Sequence, residues 1–249
     1  MKNNAFSGRV ETPTPLNQAL DEEKMKRQSI EFVEVKKPIG EPVTKFGGQP
    51  VWLTEAQWPL SATTGKPMQF ICQIALSAEL FGATDSRMAY IFMTEGDKYV
   101  DGTWEPDGGE NAVILQPGTT PVRVESMMEG PTLYRMVKRF LKEQLAPEPC
   151  EFAVRGQISH DPTYVPEPDR AEWSREKWNE YARPLEGNKI GGTPIFMQGD
   201  EFPGPGPWKL LLQLDSMRVP FFVNFGDSGI AYAFLSEDRH TAKFLWQCA

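Results

Sequence analysis

The sequence predicts an α+β protein in which duplicated antiparallel β units form one compact two-lobed domain with a few peripheral helices. Three sequence blocks that occur twice, in the same order, carry this prediction. Residues 45–53 read KFGGQPVWL, and residues 189–197 read KIGGTPIFM. Residues 70–74 (FICQI) are answered by residues 210–214 (LLLQL), and residues 89–95 (AYIFMTE) by residues 231–237 (AYAFLSE). Collinear blocks at nearly constant spacing indicate an internal duplication.

Each copy has the pattern of a β unit. The two glycines before a proline mark a turn that leads into extended chain, because glycine accepts positive φ and proline disfavours helix before it. Residues 70–74 and 210–214 are short, continuously apolar runs, which is typical of strands buried on both faces. Both runs contain a glutamine. A buried amide needs partners, so we expect Gln73 and Gln213 to hydrogen-bond to the backbone or to each other.

Helices are predicted outside the repeated blocks. Residues 130–147 place their apolar side chains on one face, which predicts an amphipathic helix closed by Pro147. Residues 169–183 predict a second helix and the mostly polar residues 14–27 a third. The proline-rich residues 147–168 predict irregular chain that bridges the two halves. The predicted organisation is therefore an N-terminal helix and lead-in (1–39) and a single domain (40–249), divided into a repeat half (45–145), a bridge (146–188) and a repeat half (189–249).

The repeated motifs resemble those of a known family. GGQP at residues 47–50, WP at 58–59 and GKPMQFICQI at 65–74 look like the first signature of the YwqG-like family. KIGGTP at 189–194, LLQLD at 211–215 and GDSGIAY at 226–232 look like its second, and the ending FLWQC at 244–248 is also similar. The resemblance covers roughly residues 40–249. It implies antiparallel sheets with internal duplication and no established catalytic residues, and it suggests an inhibitor role, since some relatives lie among bacterial toxin–immunity loci.

The composition indicates which classes of partner and which cellular compartment to expect. The chain carries 34 acidic and 26 basic residues, a net charge of −8, which argues against binding nucleic acid and favours a basic protein partner. No apolar run approaches the roughly 20 residues that cross a bilayer, and no apolar stretch follows the N-terminus, so we expect a cytoplasmic protein without a membrane partner. Cys72, Cys150 and Cys248 are far apart in sequence and odd in number, which fits neither a zinc site nor a disulfide framework, and no metal or cofactor is expected.

One motif resembles a catalytic site and is better interpreted as a turn. GDSG at residues 226–229 is the nucleophile motif of trypsin-like proteases, whose serine needs a histidine base. The chain has only His160 and His240, and neither lies in a trypsin-like context. We therefore expect a turn between strands, in which Asp227 bonds to nearby amides and Gly229 supplies the positive φ.

Two hypotheses about function remain open. The favoured one is a non-catalytic protein-binding module, whose most concrete form is a cytoplasmic immunity protein that inhibits a basic, toxin-like partner. An aromatic side chain ringed by charge is typical of an interface anchor, although such a loop can also fold its tryptophan back onto the protein. The predicted partner-binding residues lie in the acidic loop at 101–110 and the rigid segment at 201–208: Asp101, Trp104, Glu105, Asp107, Glu110 and Trp208.

The alternative is an enzyme or a small-ligand-binding protein. Its site would lie in a groove between the two halves, where a deep polar pocket would be expected. The residues predicted to line this groove are Gln73, Tyr90, Gln213, Tyr232 and Asp227.

Overall fold

The computed structural model describes residues 24–96, 100–118, 123–138 and 145–249, and in these ranges the chain is mostly β-sheet with few helices. Two six-stranded sheets dominate. The first sheet has the spatial order β2–β11–β3–β5–β6–β7, with β2 at Glu31–Glu34, β3 at Lys45–Gly47, β5 at Gln69–Ala75, β6 at Met88–Met93, β7 at Asn111–Gln116 and β11 at Glu151–Arg155. The second has the order β12–β1–β13–β14–β15–β16, with β1 at Met25–Ser29, β12 at Ile158–Asp161, β13 at Lys189–Gly191, β14 at Trp208–Asp215, β15 at Ile230–Ser236 and β16 at Ala242–Gln247.

The remaining described elements are short. Two small antiparallel pairs join β4 to β8 and β9 to β10, with β4 at Trp58–Pro59, β8 at Val124–Glu125, β9 at Tyr134–Lys138 and β10 at Leu145–Pro149. The helices are α1 at Ala78–Phe81, α2 at Glu167–Arg170 and α3 at Arg175–Ala182. Ser174 caps α3 by accepting a hydrogen bond from the backbone of Lys177. The single helix expected over residues 169–183 is therefore found only in part, because residues 171–174 interrupt it and leave two short helices.

The chain passes between the two sheets at two adjacent places. Consecutive strands β1 and β2 lie in different sheets, and so do β11 and β12. The two crossings contact each other, because Ser29 and Gln157 share hydrogen bonds of 3.0–3.1 Å. Gly156 lies at this contact, where an added Cβ would sit 1.8 Å from the carbonyl oxygen of Ser29. Only glycine fits at that approach of two backbones.

One large apolar core is shared by both sheets. It is formed by side chains from the facing surfaces of the two sheets, among them Phe46, Ile71, Ile74 and Ile91 from the first and Leu211, Leu214, Leu235 and Phe244 from the second. Two smaller clusters cover the other faces, one around Trp58 and Tyr90 and one around Phe196 and Tyr232. Strands β7 and β16, the last of each sheet, approach each other. Burying both sheets against one core makes the described chain a single compact body.

The structure corrects three expectations about secondary structure. Residues 130–147 do not form a helix: β9 and the start of β10 occupy the described part, and residues 139–144 lie outside it. Pro147 fits there because β10 is an edge strand that pairs on one side only. Most of the predicted helix at 14–27 also lies outside the described residues, and its last residues begin β1. The proline-rich residues 147–168 are largely ordered strand, since they include β11 and β12.

Candidate functional site

A lysine before each pair of glycines is buried and ion-paired. Lys45 Nζ lies 2.6 Å from Glu151 Oε1, and Lys189 Nζ lies 2.7 Å from Asp161 Oδ2. In both cases the carboxylate packs over the second glycine, where an added Cβ would lie 2.3–2.4 Å from it. Burial lowers the pKa of Lys189 from its usual 10.5 to about 8, while Asp161 opposes that shift. These enclosed pairs fix the turns and are closed to ligands.

The predicted groove residues do not form a groove. Gln73 pairs across the sheet with Tyr90, and Gln213 with Tyr232, so each pair lies on one face of its own sheet. The two tyrosines belong to separate apolar clusters on the outer faces, and all four side chains are fully buried. The expected groove is therefore wrong for these four residues, because strand alternation turns them away from the core that the sheets share.

The amides of these glutamines hold the turns that precede the strands. Gln73 accepts from the N–H of Val51 and donates to the carbonyl of Val43, both at 2.8 Å. Gln213 accepts from the N–H of Ile195 at 3.0 Å and donates at 2.9 Å to two backbone carbonyls. The expectation that both amides bond to the backbone is confirmed. Burial raises the pKa of Tyr90 to about 12 and that of Tyr232 still further, so both hydroxyls stay protonated donors.

A cleft of about 800 Å³ lies beside the end of β16. It contains two indoles, two carboxylates, three side-chain amides and one thiol, from Trp104, Gln198, Glu201, Asn224, Gly226, Asp227, Trp246, Gln247 and Cys248. The indoles of Trp104 and Trp246 meet edge to face, with ring centroids 6.0 Å apart and planes at 77°. Within the described ranges, no Lys, Arg or His lines this cleft. Its surface is therefore aromatic and acidic.

Hydrogen bonds fix the polar groups at one wall of the cleft. Gln247, at the end of β16, accepts from the backbone N–H groups of Met197 and Gln198 at 2.9 and 3.1 Å. Its Nε2 donates to Gly199 O at 3.1 Å and to Glu201 Oε2 at 2.9 Å. The Glu201 carboxylate is thus oriented by a buried amide while it remains exposed to solvent.

The GDSG segment forms the turn that borders the cleft. Positive φ is adopted by Gly226 (73°) and Ser228 (52°), not by Gly229 as the sequence suggested. Gly229 is needed for space instead, since a Cβ there would lie 1.8 Å from the carbonyl oxygen of Phe225. The Ser228 hydroxyl donates to Asp227 Oδ1 at 3.3 Å, so its neighbour is an acid and not a histidine base. Of the predicted groove residues, Asp227 alone lines the cleft.

The predicted partner-binding residues around Trp104 differ in their exposure to solvent. Asp101 and Glu105 are exposed, and Trp104 is folded back so that its ring packs on the core and lines the cleft. Glu110 is buried and accepts from Thr63 N at 2.9 Å and Thr94 Oγ1 at 2.6 Å, so it cannot meet a partner. These hydrogen bonds lower its pKa in spite of the burial.

The acidic loop and the segment at 201–208 meet at one lysine. Lys243 Nζ lies 2.6 Å from Asp107 Oδ2 and 6.0 Å from the ring centroid of Trp208. The indole N–H of Trp208 donates to Gly204 O at 3.0 Å. Both predicted segments therefore border the same region of the surface, with Trp104 and Glu201 in the cleft itself.

Sequence reasoning missed several residues of the cleft. Gln198, Asn224 and Cys248 sit in turns or at the chain end, where no periodicity marks them. Trp246 and Gln247 belong to the ending FLWQC that resembles the family. The structure, not the sequence, shows that Gln247 has a counterpart: Gln116 and Gln247 each end the last strand of a sheet and accept from two successive backbone N–H groups.

We expect Cys248 to be the only thiol that a maleimide labels in the folded protein. Cys72 and Cys150 are buried, and burial raises the pKa of Cys72 well above its usual range and that of Cys150 to about 11. Cys248 is partly exposed in the cleft. Intact-mass analysis should show one adduct under native conditions and three in denaturant. Rapid native labelling of a second thiol would contradict this placement.

The fold and the cleft define a two-sheet β domain with a cavity of ligand size. The chain belongs to the family described as a domain of unknown function (DUF1963), whose model matches residues 44–245. Strands β1 and β2 lie before the matched range. A search of curated proteins finds no significant match to the chain.

The structure also gives two findings about other classes of site. The described residues contain no group of three or more His, Cys, Asp or Glu side chains placed to hold a metal ion. In the same ranges no helix has the length and apolar character that crossing a bilayer demands.

Proposed function

We propose that this chain is a non-catalytic binding module whose partner is a basic protein that docks over the mouth of the cleft. The charge around Trp104 is the observation that supports this: Asp101 and Glu105 are exposed in its loop, and Glu201 and Asp227 are exposed at the cleft. Such a surface speeds the encounter with a cationic partner, and an indole adds desolvated contact area.

The specific form that we propose is a cytoplasmic immunity protein that inhibits a basic toxin. The net charge of −8 and the YwqG-like motifs support it.

We also propose that the chain is a YwqG-like member of its family, because both signatures of that group are present in order. The roles of the motif residues support this further: the glycines make tight turns and the glutamines hold them.

We infer that the two sheets arose by duplication of one β unit. The support is a set of matched contacts: a lysine paired to a carboxylate, a glutamine bonded to the turn, and a tyrosine bonded to the same turn. Tyr90 Oη donates to Val51 O and Tyr232 Oη to Ile195 O, each at 2.8 Å. Superposing β3–β5–β6–β7 on β13–β14–β15–β16 tests the inference, and a Cα deviation above about 3 Å would contradict it.

A small-ligand-binding protein is the second candidate, with the cleft as its site in place of the predicted groove. The volume favours it, because about 800 Å³ lies within the range of roughly 300–1,000 Å³ that small-molecule sites occupy. A cleft that holds a free ligand needs no protein partner, so the two candidates differ in what a capture experiment finds.

Capture from a lysate of the protein's own cell tests the proposed function. The bait is the full chain, compared with a variant in which Asp101, Glu105, Glu201 and Asp227 are replaced by their amides. The matched control replaces four exposed carboxylates elsewhere, at Glu41, Glu79, Glu172 and Glu180. We expect a basic protein that the wild type and the control retain and the cleft variant loses.

Binding kinetics with the captured protein then show why the cleft variant binds it less well. The cleft variant should associate about tenfold more slowly, and the difference should shrink as the salt concentration rises. Trp104→Ala should instead raise the dissociation rate. If the indole is a hot spot, the binding free energy should weaken by about 2 kcal/mol or more. Capture that is the same for all three baits would contradict the proposal.

A further inference from the structure

We propose that the cleft is the anchor site for a primary ammonium group, namely a lysine side chain of the basic partner. This inference rests on the proposed function and adds to it the group that is recognised. The starting point is the composition of the cleft: two indoles and two carboxylates surround about 800 Å³, and among the described lining residues no side chain is cationic.

The indoles suit the alkyl part and the charge of such a group. A lysine side chain is a four-carbon stem with a compact charge at its end. Its methylene groups can pack on the edge-to-face pair of Trp104 and Trp246, whose centroids lie 6.0 Å apart. An ammonium over an indole face is also attracted by the negative face of the ring. Trp246 is only 6% exposed, so the wall that it supplies is held in place.

The carboxylates favour an ammonium over a guanidinium. One oxygen of each is already engaged: Glu201 Oε2 accepts from Gln247 Nε2 at 2.9 Å, and Asp227 Oδ1 accepts from Ser228 Oγ at 3.3 Å. A guanidinium binds best to both oxygens of one carboxylate, as a fork. An ammonium has three separate donors and can bond to a single carboxylate oxygen without a fork. Both carboxylates thus have one oxygen that already accepts a hydrogen bond, which hampers a fork more than it hampers the separate donors of an ammonium.

Lys243, a cation on the neighbouring surface, does not occupy the cleft. Lys243 is bound on the neighbouring surface, where its Nζ contacts Asp107 at 2.6 Å and the carbonyl of Pro203 at 3.4 Å. Neither of these two groups lines the cleft. Glu201 and Asp227 are exposed and form no ion pair within the described part of the chain, so their negative charge can attract an external cation.

The test uses n-butylamine at neutral pH as a probe for the lysine side chain. Binding is followed by protection of Cys248 from maleimide, since this thiol lines the cleft, and by the change in tryptophan fluorescence. We expect saturable binding of n-butylamine, and binding weaker by about threefold or more for n-butylguanidine, tetramethylammonium and n-butanol. Glu201→Gln combined with Asp227→Asn should weaken n-butylamine about tenfold.

Matched variants keep the result interpretable. Glu41→Gln combined with Glu79→Gln removes two exposed charges away from the cleft and should leave n-butylamine binding unchanged. Trp104→Leu keeps the carboxylates and should weaken n-butylamine more than it weakens n-butanol. Circular dichroism confirms that each variant is folded.

Each outcome decides between the proposals. Equal binding of n-butanol, or tighter binding of n-butylguanidine, would overturn the assignment to lysine. Absence of n-butylamine binding would overturn the anchor site, while the proposed function would still stand or fall by the capture experiment. Binding of n-butylamine together with capture that is indifferent to the cleft carboxylates would keep the ammonium site and reject the protein partner.

Discussion

Replacing Asp161 by Asn is expected to lower the free energy of unfolding by about 3–5 kcal/mol, because it leaves the buried ammonium of Lys189 without its counter-charge. Both side chains are fully buried, and Asp161 Oδ2 accepts from Lys189 Nζ at 2.7 Å and from Thr193 N at 3.0 Å. Arg27 Nε lies 3.1 Å from Oδ1, but its N–H is donated to Ser159. Asp161 is the anion paired with Lys189, whose ammonium otherwise donates to the neutral carbonyl of Thr193.

Urea unfolding of Asp161→Asn and of Glu186→Gln measures this effect. Glu186 pairs with Arg218 at 3.3 Å, and both side chains are about half exposed, so the control should lose at most about 1 kcal/mol. Glu151→Gln, which breaks the corresponding pair in the first sheet, should resemble Asp161→Asn. A loss in Asp161→Asn no larger than in the control would show that the buried pair contributes little.

The pH dependence of this loss gives a second check. In the folded wild type the pKa of Lys189 is lowered to about 8, and removing the charge of Asp161 lowers it further. At pH values between the two folded pKa values, the folded variant binds fewer protons than the folded wild type, and the unfolded chains bind equally many. The unfolding free energy of the variant therefore rises with pH relative to the wild type. The difference in unfolding free energy between the wild type and Asp161→Asn should therefore become smaller as the pH approaches 8.

Local sequence signals predicted the strands that carry the repeated blocks. The apolar runs at 70–74 and 210–214 are buried strands, and the amides of Gln73 and Gln213 bond to backbone as expected. A continuous apolar run and a buried amide have the same consequence in any fold, since both must leave water and the amide must be satisfied. Such features can be predicted without knowing the topology.

The segment at 130–147 could not be predicted in this way. Its apolar residues fit a helical stripe, yet Met136 and Leu145 are about half exposed on paired strands. Arg135 is held between Glu34 and Glu148, at 2.7 and 3.4 Å, which ties the hairpin to the edge of the first sheet. Tertiary contacts with distant residues thus decide the structure of a segment whose local pattern is ambiguous.

The cleft could be predicted even less well from the sequence. The acidic loop indicated Trp104 and the GDSG turn indicated Asp227, but nothing in either segment showed that both face Trp246. Their proximity depends on the way in which β7 and β16 approach each other at the ends of the two sheets. The prediction of the groove was wrong for a related reason. Which face of a strand packs on the shared core depends on the register of the whole sheet, not on the local sequence.

Replacing Gln213 by Leu is expected to cost at least about 3 kcal/mol of unfolding free energy, although leucine is apolar and of similar size. The change removes the partner of Ile195 N–H and of the carbonyls of Leu185 and Gly187, which lie 2.9–3.0 Å from the amide. A buried backbone group that loses its partner costs about 1–3 kcal/mol, and three are affected. The lower desolvation cost of a leucine side chain offsets only part of this loss.

Two further variants show whether the cost comes from the lost hydrogen bonds. Gln73→Leu removes the partners of Val51 N–H and Val43 O, so it should cost about 2 kcal/mol or more, somewhat less than Gln213→Leu. Gln157→Leu changes an exposed glutamine and should stay within about 0.5 kcal/mol of the wild type. Thermal and urea unfolding of the three variants measure the order of their stabilities. If Gln213→Leu were as stable as Gln157→Leu, the amide would not hold the turn, and the same side chain in the first sheet would lose its explanation as well.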